Sequence, residues 1–101
     1  MLVNENTESH GEYSAMCLQS APNATVIGSQ TAGADGGVIR FEILEGFNTQ
    51  FSGLGVFYPD GRETQRIGIV PDIEAKPTIL GLREGKDEVL ERAIQFIETG
   101  K

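Results

Sequence analysis

Thirteen of the 101 residues are glycine, well above the usual share of roughly 7%. Glycine supplies turns and close backbone approaches, and it weakens the interior of long elements. Short strands joined by tight loops are therefore expected. The length suffices for one domain and not for two. A chain of this size buries only about 60–65% of its unfolded surface, so it can fold alone, but marginally.

The local patterns give the element order. Leu2-Val3-Asn4 reads as the end of a strand entered with almost no lead-in, as expected of a piece cut from a longer protein. The spacing of Tyr13, Met16 and Cys17, with Ala15 and Leu18 beside them, predicts a helix from Thr7 to Ser20. Ser9 and Glu12 stand at its start in the S-x-x-E capping-box pattern, and Ala21-Pro22-Asn23 ends it. Thr25 to Gly28 reads as a short buried strand. Gly28 to Gly37 reads as a flexible, glycine-rich connection with an Asp35-Gly36 turn.

Val38 to Leu44 alternates like a strand. Phe47 to Phe51 and Leu54 to Tyr58 read as two further strands separated by Gly53. Pro59-Asp60-Gly61 is a turn. Ile67 to Ile73 alternates but contains Pro71, which predicts an edge strand or an irregular run. Pro77 to Leu82 reads as a short helical turn. Asp87 to Thr99 is the clearest helix, with Val89, Leu90, Ala93, Ile94 and Ile97 on one face and Gly100 as its stop. The class is α/β, with a mixed sheet and two main helices.

Charge and cysteine count exclude several functions. Eight basic residues against 15 acidic ones leave a net charge of −7, which argues against nucleic acid and anionic membranes as partners. No stretch approaches the ~20 apolar residues of a membrane span. The first residues show neither the basic nor the apolar region of a signal peptide. One cysteine, Cys17, excludes an internal disulfide and a multi-cysteine zinc site, and one histidine excludes a histidine cluster. Cys17 is expected as a small buried apolar group. No cofactor and no metal are implied.

Ser9 sits at a strand–turn–helix junction. Free backbone N–H groups and the positive dipole end at a helix N-terminus favour a developing oxyanion, so this position suits a nucleophile. The same position suits a plain N-cap serine with Glu12 closing the box. His10 is badly placed to serve Ser9 as base, because adjacent helical side chains diverge. The Gly28–Gly37 loop matches neither G-K-[ST] nor G-x-G-x-x-G opening a helix, so it is no nucleotide loop. Asp35, Asp60, Glu63 and Asp72 read as solvated carboxylates in turns.

Four segments in order resemble one family: Leu2-Val-Asn-Glu-Asn-Thr-Glu-Ser9-His-Gly-Glu12, Ala24-Thr-Val-Ile-Gly-Ser-Gln-Thr-Ala-Gly33, Val56-Phe-Tyr-Pro-Asp-Gly61 and Gln65-Arg-Ile-Gly-Ile-Val-Pro-Asp-Ile73. Together they look like the C-terminal half of the catalytic domain of the C-terminal processing (tail-specific) serine peptidases, whose superfamily includes tricorn protease. The resemblance implies a fragment, residues 1–101, of a crotonase-like (ClpP/crotonase) peptidase core. The first half of the core and any PDZ-like domain lie outside it.

The family's nucleophile precedes a glutamate by three residues, which here makes Ser9 the nucleophile. The backbone N–H of His10 becomes one oxyanion donor, and a glycine-rich loop upstream supplies the second. The tail-specific branch carries a lysine base in a segment like Thr-Phe-Gly-Lys-Gly; here Thr31-Ala-Gly-Ala-Asp-Gly36 puts Ala34 at that place. The tricorn-like branch takes a histidine from upstream and supports it with a glutamate. Gln65 stands at that position, with Glu63 two residues earlier, and is the candidate base-orienting group.

The resemblance thus implies a serine endopeptidase acting on unfolded or C-terminally exposed polypeptide through a Ser9 acyl-enzyme, with its base supplied from upstream. It implies an extracytoplasmic place of action. The alternative is a non-catalytic, peptide-binding or scaffolding relative of the same fold. A crotonase-like acyl-CoA enzyme is disfavoured by the −7 charge. The 101 residues alone are expected to be inactive and to self-associate through an exposed apolar face.

Overall fold

In the computed structural model, which describes all 101 residues, the expected β-α-β opening is present. The order is β1 (Leu2–Val3), α1 (His10–Gln19), β2 (Ile27–Gly28), β3 (Gly37–Leu44), β4 (Phe47–Leu54), β5 (Ile73–Glu74), α2 (Ile79–Arg83) and α3 (Glu88–Thr99). β2 lies between β1 and β5 in a three-stranded parallel sheet. β3 and β4 form a separate antiparallel hairpin. Parallel and antiparallel pairing therefore both occur, but in two sheets rather than one mixed sheet.

A small core holds the two halves of the chain together. Val3, Ala15, Met16, Val26 and Ile69 are buried in one cluster, and Val56 and Tyr58 pack against it. α1 buries Glu12, Ala15 and Met16. Tyr13, Leu18 and Cys17 are exposed, so Cys17 is not the core residue its spacing predicts. The buried face of α1 starts from the carboxylate Glu12 rather than from an apolar side chain and runs through Ala15 and Met16, which turns Cys17 outward. Polar contacts reinforce the core. The Tyr58 hydroxyl donates to Gln19 Oε1 at 2.6 Å, and Asp72 Oδ2 accepts the Val26 N–H at 2.7 Å. Burial, above all, holds the Tyr58 phenol above its ordinary pKa.

Several boundaries differ from expectation. α1 begins at His10, not Thr7, because the Thr7 N–H and side chain close a turn on Asn4. The strand expected over Thr25–Gly28 contracts to Ile27–Gly28. Phe47 to Leu54 is one strand running through Gly53, since β3 offers it a partner from Phe47 to Leu54. Beyond it, Phe57 keeps only an isolated bridge to Glu63. In the Ile67–Ile73 run only Ile73 pairs, at the sheet edge beyond Pro71.

Both helices expected at the C-terminal end form, α2 as the short helical turn and α3 between Asp87 and Gly100. Thr78 Oγ1 accepts the Gly81 N–H at the start of α2. Asp87 Oδ1 accepts the Leu90 N–H at the start of α3, and Gly100 ends α3 with φ 70°. The buried side of α3 is narrower than expected: Ala93 is buried and Val89 and Phe96 are half-buried, while Leu90, Ile94 and Ile97 face outward. The molecule measures 58 × 35 × 15 Å, with a radius of gyration of 17.1 Å. A compact domain of this length has a radius of roughly 13 Å, so the fold is a thin slab with a projecting hairpin.

Candidate active site

Ser9 is held in a conformation that a simple helix cap does not require. Its backbone angles are φ 53° and ψ −123°, a left-handed region costly for any residue with a Cβ. Its hydroxyl makes no capping hydrogen bond. The Glu12 N–H goes instead to the Ser9 carbonyl at 3.0 Å. Ser9 and Glu12 keep the capping-box arrangement, and its one full side-chain hydrogen bond runs from the Ser9 N–H to Glu12 Oε2 at 3.2 Å. Ser9 is exposed, so its hydroxyl stands unengaged at the tip of the helix. The neighbouring His10 N–H, first in the helix, has no acceptor in the chain.

Strain of this kind gives a measurable expectation. Glycine adopts such angles without penalty. Ser9→Gly should raise stability by about 1 kcal/mol, read as a higher midpoint in urea unfolding. A lower midpoint would contradict the strained geometry.

Glu12 is the anchor of this arrangement, and sequence reasoning gave it only the smaller part of closing a capping box. Its side chain is 0% exposed. Oε1 accepts the Thr31 hydroxyl at 2.5 Å and the Gly33 N–H at 2.7 Å. Oε2 accepts the Ala34 N–H at 2.8 Å, besides the Ser9 N–H. No cation pairs with it. Four donors, three of them main-chain, hold one buried carboxylate, much as backbone N–H groups cradle an anion. The signal for this was the presence of Thr31 and Gly33 in the loop, but nothing local says that Glu12 reaches them.

The Gly28–Gly37 segment is accordingly pinned rather than flexible. Thr31 Oγ1 also accepts the Ile69 N–H at 2.7 Å. The Ala32 N–H reaches Thr7 O at 3.0 Å, and the Arg66 N–H reaches Gly33 O at 2.7 Å. Gly33 has φ 73°, and a Cβ there would lie 2.8 Å from the Arg66 carbonyl carbon, so the segment approaches the Gln65–Gly68 turn as closely as backbone can. Asp35 is buried, not solvated, and accepts the Thr64 hydroxyl. Asp60 is exposed and pairs with Arg62, whose hydrogen bond holds the carboxyl below its ordinary pKa.

The other sequence-derived site residues fall around this strap. Gln65 Oε1 accepts the Gly36 N–H at 2.5 Å, which links Gln65 to the strap that Glu12 holds. The Gly36 N–H fixes which end of the amide is the carbonyl. Ala34 is exposed, and its N–H belongs to Glu12. The His10 ring stacks on Tyr13 with centroids 5.8 Å apart. Glu63 is exposed and lines, with Gln65, Arg66, Gly36 and Ser52, a hollow of about 310 Å³. A hollow of about 690 Å³ at Gln19, Tyr58 and Asp72 does not include Ser9. No group of three or more histidine, cysteine or carboxylate side chains is placed to hold a metal ion. No helix is long and apolar enough to cross a membrane.

Comparison with known proteins adds the following. The sequence profile of peptidase family S41 matches residues 1–75. No curated protein sequence matches the chain. A crystal structure of a peptidase from Parabacteroides merdae is similar in fold, with TM-score 0.80 and 26% identity, over 94% of this chain and 30% of that one. The photosystem II D1 C-terminal processing protease is 27% identical over 78% of this chain and 21% of its own, with TM-score 0.57. Tricorn protease shares the fold at TM-score 0.78 and 19% identity, over 95% of this chain and 10% of its own. The chain thus spans less than a third of each of these structures.

Proposed function

Because the chain belongs to peptidase family S41, we propose that it carries the nucleophile of a serine peptidase site, with Ser9 attacking the substrate carbonyl. The observation that carries this reading is the left-handed, uncapped, exposed serine at the α1 N-terminus, its N–H held by a fully buried glutamate. A serine kept only to cap a helix would bond through its hydroxyl and would not need φ 53°.

In this proposal Ser9 Oγ adds to the peptide carbonyl and its proton passes to a base. The oxyanion accepts the free His10 N–H, favoured by the helix dipole. The acyl-enzyme forms as the amine leaves with a proton, and water then hydrolyses it. Neither Ala34 nor the Tyr13-stacked His10 serves as the base, so the base comes from a part of a longer protein outside this chain. Gln65 helps orient that base. Its carbonyl already holds Gly36, which leaves its second lone pair for the task, and a neutral amide supplies no charge to stabilise an imidazolium. The crotonase-like core, the unfolded or C-terminally exposed polypeptide substrate and an extracytoplasmic place of action rest on the family resemblance. The exposed Ala34 favours one second reading, a peptide-binding relative without catalysis.

The test uses the longer protein that carries this chain, incubated with an unfolded protein substrate and followed by mass spectrometry. Cleavage should fall by at least ~10³-fold in Ser9→Ala, and the 101 residues alone should cleave nothing. Equal absence of cleavage in both long forms would favour the peptide-binding reading. Ser9-dependent cleavage by the 101 residues alone would refute an external base.

A further inference from the structure

We propose that two copies of this chain pair through the free edge of β3, antiparallel about a two-fold axis at Phe41, to make a four-stranded sheet in the order β4–β3–β3–β4. β3 bonds only to β4, so its other edge is open. An isolated two-stranded hairpin is marginal in water, and this one has a strongly apolar side. Phe41 and Phe51 meet edge-on at 5.8 Å on the face that also carries Ile39, and both phenylalanines are about half exposed. At its centre the opposite face is polar, with Arg40 paired to Gln50 and Glu42 to Asn48.

The order of side chains along β3 selects a second copy as the occupant. Outward from Phe41 stand Arg40 and Glu42, then Ile39 and Ile43, then Val38 and Leu44. The strand is therefore palindromic in size and polarity and antisymmetric in charge. Antiparallel pairing about Phe41 sets Arg40 of each copy opposite Glu42 of the other, on the polar face. The bulge between Glu42 and Leu44 leaves Ile43 unpaired, so the regular register about Phe41 is carried by the Arg40 and Glu42 pairs. Neither Arg40 nor Glu42 has an ion-pair partner within the chain. Arg40 spends only Nε on Gln50, and Glu42 only Oε1 on the Gly46 N–H. Edge charges ordinarily repel a second strand, but here they attract it.

The chain exposes 7213 Å², against roughly 5,600 Å² for a compact monomer of its mass. The surplus is spread over the chain, and the half-exposed Phe41 and Phe51 of the hairpin belong to it.

Sedimentation of the full 101-residue chain over a concentration series should show a monomer–dimer equilibrium. Arg40→Glu turns both cross-strand attractions into repulsions and should raise the dissociation constant about tenfold or more. Adding Glu42→Arg to it restores opposite charges across the axis and should recover the dimer, with circular dichroism confirming that each variant is folded. Phe41→Cys in a Cys17→Ser background should form a disulfide-linked dimer under mild oxidation, and Phe51→Cys in the same background should not. A chain that stays monomeric at every concentration overturns the proposal. So does a dimer indifferent to Arg40→Glu that fails to cross-link at position 41.

Discussion

Replacing Glu12 by alanine should cost the chain roughly 3–5 kcal/mol, a large fraction of the about 5–15 kcal/mol that stabilises a domain of this size. The loss has a defined origin. Four donors converge on this carboxylate: the Thr31 hydroxyl and the N–H groups of Ser9, Gly33 and Ala34. Removing their acceptor strands donors that lie in or beside the core, each at about 1–3 kcal/mol. The alanine also leaves a void where Glu12 was fully buried. Glu12→Gln preserves volume but turns an NH2 group toward N–H donors, so it should lose much of the same energy. Urea unfolding measures both. A Glu12→Ala chain with a wild-type midpoint would mean that the strap is not tied to α1 in solution. Because the same carboxylate holds the Ser9 N–H, the longer protein bearing Glu12→Gln should also lose peptidase activity under conditions where it remains folded.

Gly28→Ala should be of similar size, for a steric rather than a polar reason. Gly28 lies in the central strand β2 with φ 141°, and a Cβ there would stand 1.8 Å from the Val3 carbonyl oxygen. No rotamer relieves a backbone clash. Either β1 leaves the sheet or β2 turns, and both break the Val3–Gly28 and Gly28–Glu74 pairings. A loss above ~3 kcal/mol is expected. Gly46→Ala is the matching control: it also has positive φ, 82°, but nothing lies within 4 Å of a Cβ there. Its cost should be confined to the dihedral penalty of about 1–2 kcal/mol. Equal, small effects at both positions would show that the close β1–β2 approach is not made.

The elements most legible in the sequence are those whose signals are local. α3 announces itself through Asp87, a helical run of apolar residues and Gly100, and the cap and the stop act as read. β3 announces itself by alternation, and the Ser9–Glu12 spacing marks the start of α1. The differences in which residues form the core have one cause, which is that burial is not a local property. Leu90, Ile94 and Ile97 look like core because they are apolar and helically spaced, yet only the Ala93 side of α3 meets β1 and β2. Cys17 fails in the same way. Asp35 looks like a solvated turn residue and is buried against Thr64.

The sequence by itself determined the α/β class, the β-α-β opening, the cap and stop of α3, and the placing of Ser9 at a helix N-terminus beside Glu12. These follow from backbone preferences and from contacts within four residues, which a single chain segment contains. Only the tertiary structure decided that the Ser9 hydroxyl does not cap its helix, and that Glu12 reaches across to Thr31, Gly33 and Ala34. It alone decided that Gln65 grips the same strap through Gly36. Those contacts join residues 19 to 29 positions apart. They form because a buried carboxylate and buried N–H groups must find one another once water is excluded, a demand that the fold creates and no short stretch of sequence contains.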